Sequence, residues 1–216
     1  SPSQMGEMMK IGRRGSMNAK ITATGIQGHS AYPDRANNPI LAMVKLLDKL
    51  ASHQLDVGTE HFDPSTLAIT SVDTGNKASN VIPAVTKATV NIRFNDSHSG
   101  SSLVSWLKDE IEKVSAEYGI KFKTDFKISG ESFITPPGEL SDLISKAVKQ
   151  ELGVTPKLST TGGTSDARFI KDICPVTEFG LVGKTMHAVD EKVEIKQINQ
   201  LKEIYSRVLE AYFEKA

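Results

Sequence analysis

Alternating apolar and polar residues predict strands with one buried face in the first part of the chain. The strand-like segments lie at residues 16 to 26, 65 to 72, 84 to 94 and 120 to 128. In the first of them, Met17, Ala19 and Ile21 fall on one face, and Asn18 and Lys20 on the other. The sequence therefore predicts strands that pack one side of a sheet against a core.

Two segments between these strands follow the helical period instead. Asn37 or Asn38 is expected to cap the first helix, with Pro39 in its first turn. Its apolar stripe runs from Ile40 to Leu50, and the helix is expected to end near His53. The second helix is marked by apolar residues at helical spacing: Leu103, Leu107, Ile111 and Val114.

The order strand, helix, strand, strand, helix, strand is that of the split βαβ, ferredoxin-like arrangement. After Pro136-Pro137-Gly138 the pattern becomes helix, short strand, glycine loop, short helix, strand, loop and terminal helix. Such α/β alternation predicts a parallel sheet, with strands expected at 155 to 159 and 175 to 180. Two strands leave sheet edges uncovered, so this second domain is expected to be incomplete.

These segments divide the chain into three parts. Residues 1 to 14 are expected to form the end of a preceding segment of the larger domain and a hinge. Residues 15 to 130 form the ferredoxin-like domain, and residues 131 to 216 continue the larger domain. The small domain is thus predicted to be an insertion into an α/β domain of which this chain carries the C-terminal part.

Composition excludes several function classes. The chain has 216 residues, and its 26 Lys and Arg balance its 26 Asp and Glu, which predicts no nucleic-acid partner and no anionic membrane partner. No apolar run reaches the roughly 20 residues that a membrane span needs. Cys174 is the single cysteine, so no internal disulfide forms and a reducing cytoplasm fits best. We expect Cys174, just before Pro175, to be buried as a small apolar residue.

Three loops combine small residues with side chains able to bind metal or move protons. They are Gly-Ile-Gln-Gly-His-Ser-Ala-Tyr-Pro at 25 to 33, Thr-Thr-Gly-Gly-Thr-Ser-Asp at 160 to 166 and Met-His-Ala-Val-Asp-Glu at 186 to 191. A lone histidine in a loop more often forms hydrogen bonds with the backbone than binds a metal. Such a structural role is the competing interpretation of His29 and His187. Three such loops nonetheless predict a catalytic site assembled from loops. The glycine pair, followed by a helix expected near Ser165, predicts an anion site or simply a helix cap.

Five motifs carry a resemblance to a known family. They are Gly12-Arg13-Arg14-Gly15-Ser16, Gly28-His29-Ser30-Ala31-Tyr32-Pro33, Ser79-Asn80-Val81-Ile82-Pro83, Asn91-Ile92-Arg93-Phe94 and the run from Ser159 to Phe169. Together they resemble the succinyl-diaminopimelate desuccinylase family, within the di-zinc aminoacylase and carboxypeptidase superfamily. The resemblance spans essentially the whole chain.

This resemblance implies a zinc-dependent amide hydrolase that cleaves N-succinyl-LL-2,6-diaminopimelate to succinate and LL-2,6-diaminopimelate, in cytoplasmic lysine and cell-wall precursor biosynthesis. It implies two zinc ions per complete subunit, with cobalt able to replace them. It also implies a ferredoxin-like βαββαβ lid inserted into a zinc-aminopeptidase-like α/β domain, and a homodimer formed through that lid. The substrate would be a small amide that carries carboxylates at both ends.

The resemblance also implies roles for individual residues. His29 would reach into the partner's site and donate a hydrogen bond to the oxyanion, an interaction worth about 3 to 4 kcal/mol. His187 would be the late metal ligand. The implied substrate contacts are at least one of Arg13 and Arg14, together with Ser16, Tyr32, Asn80, Arg93, Gly163 and Thr164. Ser79 stands where another asparagine is common in the family, and Asp166 is expected to be structural.

Arginine suits the carboxylates of such a substrate because its planar fork binds them through two parallel bonds. Without a ligand role, Arg13 and Arg14 would form a solvated hinge pair, and Arg93 would simply point outward from its strand. The competing hypotheses for function are an acetylornithine deacetylase, a carboxypeptidase or aminoacylase, and a non-catalytic dimerisation or small-molecule-binding module. The resemblance places the remaining metal ligands and the general base in an N-terminal half, so this chain alone is expected to be inactive and to bind metal weakly or not at all.

Overall fold

A computed structural model describes residues 4 to 214 of the chain, which divides into two compact units. The insert unit comprises Gly15–Thr59 and Pro64–Ser132. The flanking unit comprises the residues up to Arg14, Glu60–Asp63 and the residues from Phe133 onward. The short piece Glu60–Asp63, which interrupts the insert unit, has no counterpart in the boundaries drawn from the sequence.

The elements are numbered in chain order. The strands are β1 (Met8–Lys10), β2 (Gly12–Arg13), β3 (Gly15–Thr24), β4 (Gly28–His29), β5 (Thr66–Asp73), β6 (Val81–Ile82), β7 (Val85–Phe94), β8 (Lys121–Gly130), β9 (Phe133–Ile134) and β10 (Lys157–Ser159). The helices are α1 (Pro39–Ser52), α2 (Gly100–Tyr118), α3 (Glu139–Leu152), α4 (Ala167–Ile170) and α5 (Ile195–Phe213), and a 3-10 turn spans Pro33–Arg35.

The insert unit is a four-stranded antiparallel sheet in the order β5-β7-β3-β8, with α1 and α2 as its two connecting helices. This confirms the predicted ferredoxin-like arrangement. The alternation along β3 buries Met17, Ala19 and Ile21 against the helices, as the sequence pattern predicted. Asn38 caps α1 by accepting a hydrogen bond from the Ile40 amide, at 3.0 Å. The opposite face of the sheet carries the polar members of each strand.

The flanking unit is built on α3 and α5, which pack around a small apolar core. Its buried members are Met9, Ile11, Ile144, Ala147, Val148 and Ile204. Strand β10 lies where a strand was expected, but its parallel partner is β1, at residues where the sequence predicted no strand. Strand β2 pairs with β9 in antiparallel fashion. Within the described residues no helix is long and apolar enough to cross a membrane.

The prediction of a strand at 175 to 180 is wrong. Only Glu178 joins the sheet, through reciprocal backbone hydrogen bonds with Lys10 of 2.8 Å each. Pro175 has no amide hydrogen to donate, and the Val176 amide bonds the Thr135 hydroxyl instead of a neighbouring strand. The prediction that Cys174 is buried is also wrong, because the side chain is exposed where the chain turns after α4.

Candidate substrate-binding and catalytic site

Arg13 of β2 is held in a fixed orientation within the flanking unit. Its Nε donates to the Glu178 carboxylate at 2.7 Å, and its Nη1 donates to the Thr161 carbonyl at 3.1 Å. Only 16% of the side chain is exposed, so Arg13 is not a solvated hinge residue. Since a guanidinium carries five N–H donors, these two bonds orient the group and leave donors for an anionic ligand.

Lys10 lies beside Arg13 and was missed by the sequence analysis. Its Nζ donates to the hydroxyls of Ser159 and Thr161, at 2.8 and 2.6 Å. Burial is the largest influence on the pKa of Lys10 and lowers it, and the charge of Arg13 lowers it further. Glu178 has the opposite effect, and the resulting pKa is about 8. The sequence feature that points to Lys10 is its position as a lysine within the otherwise apolar run Met8 to Ile11.

The two cations line a cavity of about 340 Å³ in the flanking unit. Gly183 and Met186 also line it, and His187 follows Met186 immediately in the chain. We call this space the anion pocket, defined by Lys10, Arg13, Glu178, Gly183 and Met186. It brings one predicted carboxylate-binding residue together with the loop that carries the predicted metal ligand.

The glycine loop closes onto Arg13. Gly162 has φ of 104°, and a Cβ there would lie 2.5 Å from Arg13 Nη1, so only glycine fits. Gly163 and Thr164 follow and are exposed. The helix expected near Ser165 begins at Ala167 and has four residues, so its peptide dipoles add little to the attraction of an anion. The anion site at this loop stays a prediction.

His187 occupies an exposed loop and has a positive φ of 67°. Among residues 4 to 214 no group of three or more His, Cys, Asp or Glu side chains could hold a metal ion. The described residues therefore do not form a zinc centre by themselves. His187 would be a single ligand that needs others from elsewhere.

His29 lies on the short strand β4, which pairs with β6 and so places His29 opposite Val81. Its Nδ1 accepts a hydrogen bond from the Ala31 amide at 3.0 Å. That bond assigns the ring proton to Nε2, leaving an exposed N–H donor at the tip of the side chain. The Tyr32 ring lies 5.9 Å from the His29 ring, and the Ser30 amide donates to the Asn80 carbonyl at 3.0 Å. The insert unit thus gathers His29, Tyr32 and Asn80.

Ser16 and Arg93 face each other across β3 and β7 on the open face of the same sheet. Ser16 is buried, and Arg93 donates from Nε to Asn91 at 3.2 Å. Arg14 has a buried Nε without a hydrogen-bond partner among the described residues. A buried donor of this kind is costly unless a ligand or water satisfies it.

Comparison with protein families shows the family of the chain. The family model described as the peptidase dimerisation domain matches residues 11–119. The chain belongs to the peptidase dimerisation domain family. The matched region of this dimerisation domain runs from Ile11 through the end of α2, and so includes the motif around His29.

Curated relatives of this chain are longer than the chain itself. Succinyl-diaminopimelate desuccinylase of Ruegeria pomeroyi is 66% identical over 212 residues, which cover 98% of this chain and 56% of the relative. The enzyme of the same name from Cereibacter sphaeroides is 65% identical with the same coverage. The chain therefore spans about half the length of the curated relatives it matches.

Solved structures confirm the fold. The aminopeptidase PepT of Bacillus cereus matches with a TM-score of 0.81 and 18% identity, over 96% of this chain and 54% of that one. A tripeptidase of Staphylococcus aureus matches with the same TM-score and coverage at 19% identity. At such identities the likeness concerns the fold alone.

Proposed function

We propose that this chain is the dimerisation and C-terminal part of a cytoplasmic, zinc-dependent amide hydrolase that cleaves N-succinyl-LL-2,6-diaminopimelate to succinate and LL-2,6-diaminopimelate. The anion pocket carries the proposal, because two cations converge there beside the His187 loop. Similarity to desuccinylases of 66% and 65% identity supports the same substrate. The reaction would serve lysine and cell-wall precursor biosynthesis.

Carboxylate recognition is the chemistry that this chain is best equipped to supply. Arg13 offers its remaining N–H donors to a substrate carboxylate, and Lys10 adds a second positive charge. Arg93 is proposed to bind the other carboxylate end. The remaining proposed contacts with substrate are Arg14, Ser16, Tyr32, Asn80, Gly163 and Thr164. Succinyl and diaminopimelate groups both end in carboxylates, which matches several separate cationic contacts.

His29 is proposed as the catalytic hydrogen-bond donor. Attack on the scissile amide places negative charge on the carbonyl oxygen, and the Nε2–H of His29 would stabilise it. Because Nδ1 already accepts from the Ala31 amide, the ring presents its donor without changing tautomer. In the homodimer this donor would serve the site of the partner.

His187 is the one zinc ligand that we assign to this chain. Bound zinc would supply Lewis-acid polarisation and an acidified water. Because the described residues offer no group of three metal-binding side chains, the remaining ligands would come from the rest of the enzyme. The 216-residue chain alone is therefore expected to bind dicarboxylates without hydrolysing the amide.

The proposed homodimer uses one edge of the insert unit's sheet. Its two edge strands differ: β8 carries lysines, which discourage pairing, whereas β5 carries no lysine and exposes Ile69 and Val72. On α1, Leu41 and Val44 are 58% and 57% exposed. An unprotected edge and an apolar helix surface in one domain favour self-association through β5 and α1.

The experiment that tests the activity is succinate release by the full-length gene product. Turnover of N-succinyl-diaminopimelate is expected to depend on zinc and to exceed that of acetylornithine. Replacing Arg13 with Lys keeps the positive charge but removes the planar guanidinium with its paired N–H donors, and is therefore expected to raise KM. Preference for acetylornithine would instead assign the chain to a deacetylase.

A further inference from the structure

A single threonine hydroxyl closes the loop that carries His187. Thr185 Oγ1 donates to the Lys192 carbonyl and accepts from the Lys192 amide, each at 2.9 Å. The Thr185 hydroxyl thus uses its donor and one acceptor site on the backbone of a single residue, Lys192. The Ala188 amide also donates to the Thr185 carbonyl, at 2.9 Å. Thr185 therefore holds both ends of a short loop together.

The backbone inside this loop is strained. His187 and Asp190 have φ of 67° and 63°, in the left-handed region that side chains disfavour. His and Asp enter this region more readily than most residues, but the conformation still persists only when its surroundings impose it. The loop therefore needs a restraint that holds this conformation.

Packing does not provide that restraint within the described residues. Val189, at the centre of the loop, is 93% exposed, and Met186 is 54% exposed. Apolar side chains that remain in solvent contribute little to holding a backbone in place. The hydrogen bonds of Thr185 are thus the main contacts that close the loop.

We propose that Thr185 is a positioning residue, whose hydroxyl clamps the loop and sets where the His187 ring stands relative to the anion pocket. The role of His187 itself rests on the proposed function. The clamp acts through the backbone, so it fixes the imidazole position without touching the ring. A freed loop would relax the φ of His187 and change the position of its ring.

Hydrogen exchange in the 216-residue chain tests the clamp directly. Thr185→Val keeps the shape of the side chain but removes both bonds, so the Lys192 and Ala188 amides are expected to exchange about tenfold faster. Thr185→Ser keeps the hydroxyl and is expected to restore wild-type protection. Thr155→Val, at an exposed site of the same unit, is the matched control. Equal exchange in the wild type and Thr185→Val would overturn the proposal.

Kinetics of the full-length gene product separate positioning from general stability. Thr185→Val is expected to lower kcat about tenfold or more with a smaller change in KM, and Thr185→Ser to recover kcat. An active wild type with an unchanged kcat in Thr185→Val would overturn the positioning role. If the wild type releases no succinate, the proposed function fails, and the exchange experiment still decides whether Thr185 clamps the loop. Thermal unfolding of each variant shows that the change is local.

Discussion

Asp56 is the most heavily hydrogen-bonded carboxylate among the described residues of the insert unit. It accepts from the Gly58 amide at 2.8 Å, the Ser65 amide at 3.1 Å and the Asn95 side chain at 2.7 Å. His98 Nε2 lies 3.1 Å from its other oxygen. Burial is the largest single influence on the pKa of Asp56 and would raise it. The hydrogen bonds from Ser65, Gly58 and Asn95 together outweigh burial and lower the pKa to about 2. The carboxylate thus fastens the segment between α1 and β5.

Replacing Asp56 with Asn is expected to lower the free energy of unfolding by about 1 to 3 kcal/mol, because an amide nitrogen then faces hydrogen-bond donors. Denaturant unfolding at pH 7 measures the change. Asp125→Asn, at an exposed position of β8, is the matched control and is expected to change stability by less than about 0.5 kcal/mol.

The same carboxylate predicts a pH dependence. Its folded pKa of about 2 lies below that of the unfolded chain, so the stabilisation is complete above about pH 4 and is lost as the pH falls toward 2. The difference in stability between wild type and Asp56→Asn should therefore shrink over that range. A difference that stays constant from pH 5 to pH 2 would contradict this assignment.

Lys10 predicts a different pH dependence, in substrate binding. Its pKa of about 8 means that the anion pocket loses positive charge as the pH rises through 8. The KM of the full-length enzyme should then rise above that pH, by about tenfold once the attraction of this charge for a substrate carboxylate is lost. Lys10→Arg keeps its charge and should flatten the rise. Lys113→Arg, on the surface of α2, serves as control, and matching profiles for wild type and Lys10→Arg would refute the role of Lys10.

Lys10 also shows where sequence reasoning about the site stops. The loops around His29 and His187 were found because their motifs are local runs of residues. The hydroxyl partners of Lys10 lie 149 and 151 positions away in the chain, and its pKa is lowered first by burial and then by the charge of Arg13. Neither its hydroxyl partners nor its environment can be read from the residues that surround it in sequence.

At the scale of elements, local pattern decided which predictions succeeded. Strands β3 and β7 each bury one face, so period-two alternation located them within one or two residues. The 175 to 180 segment failed because its apolar residues suggested a strand, while Pro175 and the bond from Val176 to Thr135 direct the backbone elsewhere. The short pair β4 and β6 has two residues per strand, too few for any periodicity to appear.

Helix α2 begins before its first apolar marker because of a capping box. Ser99 Oγ accepts from the Ser102 amide, and Ser102 Oγ accepts from the Ser99 amide, both at 3.1 Å. Ser99→Ala is expected to cost about 1 kcal/mol of folding stability, whereas Ser99→Asn should retain most of it. Ser105→Ala, an exposed serine within the same helix, is the control. Equal stability of the Ser99→Ala and Ser105→Ala proteins in urea would argue against the cap.

At the scale of the whole molecule, the two edges of the insert unit's sheet determine how it can associate. Lys121, Lys123 and Lys127 on β8 carry charge that opposes strand addition. Strand β5 offers free backbone groups with apolar side chains instead, and the family match covers this strand together with α1. The proposed interface on β5 and α1 would leave His29 on its own short strand pair, outside the four-stranded sheet.

Val44→Glu, alone or with Leu41→Glu, is therefore expected to convert a dimer into a monomer. Each change buries a carboxylate in an apolar interface, which costs several kcal/mol without a partner charge. Light scattering over a dilution series measures the mass, expected to fall from twice 23.5 kDa to that value. Lys121→Glu on β8 is the control and should leave the dimer intact. Dissociation by Lys121→Glu with no effect of Val44→Glu would place the interface on the opposite edge, and a wild type that is monomeric at every concentration would remove the dimer from the proposal.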